Sequence, residues 1–264
     1  MTLVLFERRQ RIAIVTLNNP DQRNPLDADM VQGLIDAVEA INRDSEISCV
    51  VLAANGPAFC GGGNVKEMRD RTGLFAGTPA DMRRGYIHGI QRVPLAMYGL
   101  EVPSIAAVNG PAVGAGCDLA MMCDIKICAP TASFAESFLR VGLISGDGGA
   151  WFLPRVVGLS RAYEMAFTGN PITAEQGEKA GFISRVVPAD QLLAESIALA
   201  ERIAKQPPQA LRMMKRLVRD GLESSLNQNL ELAAAMQSLV QHTADHHEAV
   251  AAFLEKRAPH FTGR

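Results

Sequence analysis

Two glycine-bearing turns are the places where this chain could do chemistry with its backbone. "FCGGGNVKEM" (Phe59–Met68) sets three glycines between an apolar run and a charged helix start, and "VNGPAVGAGCDL" (Val108–Leu119) repeats that layout. Neither is a phosphate loop. Gly61 and Gly63 supply two glycines of G-x-G-x-x-G, but Lys66 stands where the third belongs, and G-x-x-x-x-G-K-[ST] is absent. Small residues let a ligand approach the main chain, and a helix N-terminus favours negative charge. Two such turns at the ends of strands can aim two N–H groups at one point, which makes an oxyanion hole. The alternative is that both are tight turns packed against the core. Cys60 is a candidate nucleophile, but no partner base lies near it in the sequence. His242 and His246 have the i, i+4 spacing of a metal pair. No third ligand accompanies them, they fall on a polar helix face, and no metal is expected. His88 reads as structural.

These turns need strands before them and helices after them, and the text supplies both. "RIAIVTL" precedes a helical stretch from Asp27 to Asn42 with Met30, Leu34, Ala37, Val38 and Ile41 on one face. "SCVVLAA" leads into the first turn and "VKEMRD", and "PSIAAVNG" leads into the second. "DIKICAP" and "FISRVV" are further strands, so the core is α/β. "RDRTGLFAGTPAD" after Met68 reads as a mobile loop beside the first turn. From about Ala189 the text is helical, broken at Pro207–Pro208 and Gly221, with a long last helix.

At 264 residues, 48% hydrophobic and 20% charged, the chain has the composition of a soluble globular protein. A net charge of −2 without a basic block gives no reason to expect nucleic acid or membrane as partner. Pro103–Ala129, the most apolar region, is interrupted by Asn109, Asp118 and Asp124 and makes a poor membrane span. The N-terminus lacks the layout of a signal peptide. Five cysteines (49, 60, 117, 123, 128), without metal-site spacing, read as reduced thiols in a cytoplasmic protein.

The segments "AFCGGGNVKEM", "AAVNGPAVGAGCDLAMMCDIKICA", "FAESFLRVGLISGDGGAWFLPR" and "FLEKRAPHFTGR" occur in that order and resemble the crotonase superfamily, the enoyl-CoA hydratase/isomerase family. The resemblance implies an α/β spiral of ββα turns (residues 1–195) and a helical C-terminal trimerisation region (residues 196–264). It also implies a homotrimer or a hexamer built as a dimer of trimers. The ligand it implies is an acyl-CoA, with coenzyme A part of the substrate and no separate cofactor. The thioester oxygen would be held by the N–H groups of Gly63 and Ala115. Gln22, Arg23, Lys66, Phe253 and Lys256 would contact CoA, the last two from a neighbouring subunit. Met68, Phe75, Phe138 and Trp151 are acyl-pocket or core side chains.

One part of the family pattern is broken. Where hydratases of this kind carry two glutamates, this sequence has Asp118 and Phe138. Asp118 is shorter by one methylene, a loss of reach of about 1.5 Å, and a phenyl ring moves no proton. Glu136 and Asp147 are the carboxylates near enough in sequence to substitute; Gly146 occupies the place where some double-bond isomerases of the family carry their acid. Each carboxylate has a plainer reading: Asp118 complementing a helix N-terminus, Glu136 paired with Arg140 or Arg155, Asp147 holding the glycine turn. Asp118 leads as acid/base. Hydration of a 2-enoyl-CoA is the first expectation and Δ3–Δ2 isomerisation the second. Thioester hydrolysis or other enolate chemistry follows, then a CoA-binding protein without catalysis or an RNA binder.

Overall fold

Strand β3 (Cys49–Ala54) is apolar throughout because both of its faces are covered. In the computed structural model, which describes residues 2–264, Val50 and Leu52 join the main core, while Cys49, Val51 and Ala53 join a second cluster on the opposite face. The same period of two divides β2 (Ile12–Leu17), β4 (Ser104–Val108) and β6 (Ile125–Cys128). These strands form a six-stranded sheet in the order β1-β2-β3-β4-β6-β9, with β1 at Val4–Arg9 and β9 at Arg185–Val186. Only β1 and β2 run antiparallel.

The main core lies between this sheet and α1 (Ala28–Arg43), whose apolar stripe is the one its period predicts. Asp27 caps α1 by accepting the Met30 N–H at 2.9 Å. The other face is closed by α9 (Leu192–Ala204), through Leu192, Ala200 and Ala204. The expected division after residue 195 therefore falls inside a helix that covers the sheet.

Three successive units each run from a sheet strand, through a short segment of a second layer, into a helix. They are β3, Cys60 and α2 (Val65–Asp70); β4, β5 (Pro111–Val113) and α5 (Ala115–Met122); and β6, β7 (Ser133–Ala135) and α6 (Gly149–Val157). In the second layer Cys60 bridges Ala112 in parallel, β5 pairs with β7 in parallel, and β8 (Ile172–Thr173) closes the layer. Parallel pairing in this layer stacks the turns that follow it. Gly61–Gly63, Gly114–Ala115 and Ser137–Phe138 are thereby neighbours.

The stretch Arg69–Asp81, expected as a loop, instead holds the end of α2, a 3-10 turn at Gly73–Phe75 and the start of α3 (Pro79–His88). Thr78 and Asp81 cap α3 reciprocally, with Pro79 at the first turn. Next come α4 (Arg92–Gly99), α7 (Leu159–Thr168) and α8 (Ala174–Lys179). The C-terminal part continues with α10 (Pro208–Gly221), α11 (Leu226–Gln241) and α12 (Ala244–Glu255). The single long final helix expected from the sequence is two, because Thr243 accepts the His246 N–H at 3.1 Å and starts a new one. Among the described residues no helix is long and apolar enough to cross a membrane.

Candidate active site

The stacked turns open on a cavity of about 660 Å³ whose wall includes Gly63, Met68, Tyr86, Ala115, Phe138 and Asp147. Its backbone side is set by how closely the first two turns approach. Gly62 has φ 88°, and a Cβ there would collide with the carbonyl of Val113 and lie 3.5 Å from the nitrogen of Ala115. The Val113 N–H donates to Cys60 O at 3.0 Å, and the Leu26 N–H donates to Gly62 O at 3.0 Å. Ala115 is the first residue of α5, where backbone donors have no partner inside the helix. Among the described residues neither the Gly63 nor the Ala115 N–H donates to a protein acceptor. Both residues line the cavity, and both N–H groups are unengaged within the protein.

Opposite in character is a buried group of three carboxyls: Asp118 from α5, Glu136 just after β7 and Asp147 just before α6, each at most 5% exposed. The Ser145 hydroxyl lies 3.1 Å from Asp118 Oδ2 and 3.4 Å from Asp147 Oδ1, and accepts the Ala150 N–H at 3.1 Å. Burial, and then the charges of Asp147 and Glu136, push Asp118 well above the usual carboxyl range. Burial raises Asp147 and pushes Glu136 up to about 7, with a hydrogen bond from Asp118 opposing the shift in each. The three carboxyls therefore titrate as one interacting group.

Of the three, Asp147 lines the cavity and Asp118, the leading candidate in the sequence, stands behind it. The plainer reading of Glu136 as an arginine partner is overturned. Arg140 donates to Asn170 Oδ1 at 2.8 Å, while Arg155 bonds Trp151 O at 2.9 Å and lies 3.9 Å from Glu223. Asp118 does lie in the first turn of α5, as its plainer reading has it, but fully buried among the other two carboxyls, which with burial push its proton affinity up.

Met68, Phe75 and Phe138 line the cavity as expected of acyl-pocket side chains, and so does His88, which the sequence left as structural. Trp151 does not. It packs against Tyr98, at 5.2 Å between ring centroids, with the Arg155 guanidinium 3.8 Å over its ring, and it faces a separate cavity beneath α10. The first turn of α6 starts at the carboxyls and has rotated away from them by residue 151. Gln22, Arg23 and Lys66 are exposed and outside the cavity wall, although Arg23 O accepts the Gly61 N–H at 2.8 Å. Phe253, 83% exposed, and Lys256 lie at the end of α12 and do not reach the cavity of their own chain. Cys60 is fully buried, its thiol pushed up to about 12 by burial, which removes it as a nucleophile. His242 bonds Ser238 O through Nδ1 at 2.7 Å, and among the described residues no three His, Cys, Asp or Glu side chains are placed to share a metal ion.

Sequence reasoning passed over three residues that build this site. Asn24, fully buried, donates to the carbonyls of Asn55, Ala58 and Phe59 at 2.9–3.2 Å and fastens the N-terminal segment to the first turn. Ser145 joins two of the carboxyls, and Gln91 donates to Gly146 O at 2.8 Å. Only Ser145, in "LISGDGG", carries a sequence signal, a small polar residue beside glycine-rich text; Asn24 and Gln91 carry none.

Comparison with known proteins identifies the family. Residues 7–264 match the family model for enoyl-CoA hydratase/isomerase. The chain is 38% identical over 265 residues to a probable enoyl-CoA hydratase of Mycobacterium bovis, covering 99% of this chain and 98% of that one. It is 35% identical over 265 residues to the 1,2-epoxyphenylacetyl-CoA isomerase of Escherichia coli, covering all of both. The crystal structure of an enoyl-CoA hydratase from Bacillus anthracis superposes with a TM-score of 0.92 at 30% identity, over 99% of this chain and 100% of that one. The spiral of ββα units, its helical C-terminal region and the match along almost the whole length have one consequence: the chain belongs to the crotonase-fold enoyl-CoA hydratase/isomerase family.

Proposed function

We propose that the protein acts on an acyl-CoA thioester in the cavity of Gly63, Ala115 and Asp147, and that it hydrates a 2-enoyl-CoA. The observation that carries this reading is the placement of two unengaged backbone N–H groups and one carboxyl on the wall of the same cavity. The thioester oxygen accepts from Gly63 and Ala115, so the negative charge of the enolate forms against fixed donors. Asp147 takes a proton from the adding water and returns one to the α-carbon. Asp118 stands behind Asp147; burial raises the proton affinity of Asp147 and the neighbouring Asp118 carboxyl opposes that rise. In this reading Gln22, Arg23 and Lys66 meet the CoA moiety at the surface, while Phe253 and Lys256 do so from a neighbouring subunit of a trimer or hexamer.

A second reading, Δ3–Δ2 isomerisation, is favoured by Phe138. That ring occupies the wall where a second carboxyl would otherwise face the substrate. One carboxyl suffices to remove a proton from C2 and return it at C4, and the likeness to an isomerase supports this alternative. Incubation with crotonyl-CoA and, separately, with 3-hexenoyl-CoA distinguishes the two by which product forms. Turnover of neither above the level of Asp147→Asn rejects both.

A further inference from the structure

The three carboxyls join two cavities. Asp147 lines the cavity just described, and Glu136 lines a second, of about 300 Å³, walled by apolar residues such as Leu153, Leu159 and Phe167. Asp118 lines neither and is fully buried. Phe138 belongs to both walls, so a ring that cannot carry a proton stands between the two spaces. The Ser145 hydroxyl bridges Asp118 Oδ2 and Asp147 Oδ1 at 3.1 and 3.4 Å, and the Asp118 and Glu136 carboxyls are near enough to shift each other's proton affinity. Two oxygens of the group, Asp118 Oδ1 and Glu136 Oε2, are buried without an N–H or O–H donor from any other described residue. Carboxyl oxygens buried in this way are costly unless they hydrogen-bond, and here the available hydrogens are the protons of the acids themselves.

From this juxtaposition we infer that Asp147, Asp118 and Glu136 form a proton relay from the reacting thioester to the second cavity, where Glu136 exchanges with water. The inference rests on Asp147 being the group that meets the α-carbon. The steps balance as follows. Asp147 removes a proton from the α-carbon, the C–H bond breaks, and its electron pair moves to the thioester oxygen. Asp118, in its acid form, passes a proton to the Glu136 carboxylate, Asp147 passes the new proton to Asp118, and Glu136 releases one proton to water. The net change is one proton moved from carbon to solvent. The reverse sequence brings a solvent proton to Asp147 and from it to the α-carbon, so the α-hydrogen exchanges with solvent without opening the substrate cavity to water.

The relay separates two rates that a purely structural Glu136 would change together. Turnover can proceed with the proton that Asp147 itself removed; exchange of that proton with solvent needs the relay. Butyryl-CoA in D₂O, followed by mass spectrometry, reads exchange at the α-carbon, while turnover of the better of the two enoyl-CoA substrates is read in parallel. In Glu136→Gln the exchange rate is expected to fall by about tenfold or more, with turnover within about threefold of wild type and butyryl-CoA binding retained. Ala166→Trp, which fills the second cavity from its rim and leaves all three carboxyls in place, is expected to do the same and covers the case in which Glu136→Gln does not fold. Wild-type exchange in either folded variant, or exchange and turnover lost in equal measure, overturns the relay. Absence of exchange and of turnover in the wild-type protein would instead remove the reading of Asp147 on which it rests.

Discussion

The carboxyl of Asp118 occupies the space that a Cβ on Gly149 would need. Gly149 is the first residue of α6 and Asp118 belongs to α5, so this contact sets how closely the two helices approach at their N-terminal ends. Gly149→Ala must push the carboxyl away or separate the helices. The expected cost is about 1–3 kcal/mol, read as a lower urea midpoint. In Gly149→Ala combined with Asp118→Ala the loss should be less than the sum of the two single losses; strict additivity would show that the contact does not couple them.

Proline at position 115 tests the backbone donor with little else disturbed. Ala115 begins α5, a position that tolerates proline, and its N–H serves no internal bond. Ala115→Pro is expected to lower kcat by about 10²–10³ while leaving the urea midpoint close to that of wild type. Unchanged kcat in a folded variant would mean that this N–H is not used.

Stability is expected to decline as pH rises through neutrality. Burial pushes Glu136 from 4.5 up to about 7, and Asp118 and Asp147, which face it, are raised as well; the buried Cys117 thiol is the other titratable neighbour. Between these values the folded protein binds more protons than the unfolded chain, so the unfolding free energy falls with rising pH. The contribution of Glu136 is fully present below about pH 4.5 and lost as pH passes about 7, an effect on the order of 1–3 kcal/mol. Urea titrations at pH 5 and pH 8 should give the higher midpoint at pH 5, with a smaller difference in Glu136→Gln. An equal difference in both proteins contradicts the assignment.

All five cysteines are free and buried, and burial pushes Cys49, Cys60, Cys123 and Cys128 up to about 12. Ellman's reagent should therefore find no fast thiol in the native protein and five after unfolding. A fast native reaction that also abolishes turnover would return Cys60 to the list of functional groups.

Much of the fold was legible because it depends on local periodicity. Residues 50 and 52 against 49, 51 and 53 in β3, and the stripe of α1 from Met30 to Ile41, follow from strand and helix repeats alone. The break at Thr243 was not, because a cap inside helical text competes with continuing the helix and wins only when its hydroxyl finds the His246 N–H. Arg69–Asp81 hid helical turns for a related reason: polar, glycine-bearing text resembles a loop until Thr78 and Asp81 cap each other.

By itself the sequence determined that two bare turns follow two strands and that Asp118, Glu136 and Asp147 are the carboxyls available nearby, with Phe138 standing where the resemblance to hydratases places a glutamate. Tertiary structure alone decided which of them meets the cavity. The second-layer strands stack parallel, so residues far apart in the chain share one wall, and the side chain that points into it depends on the rotation of each turn rather than on spacing. That rotation puts Asp147 on the wall, Asp118 behind it, Glu136 against another space, and Trp151 beside Tyr98.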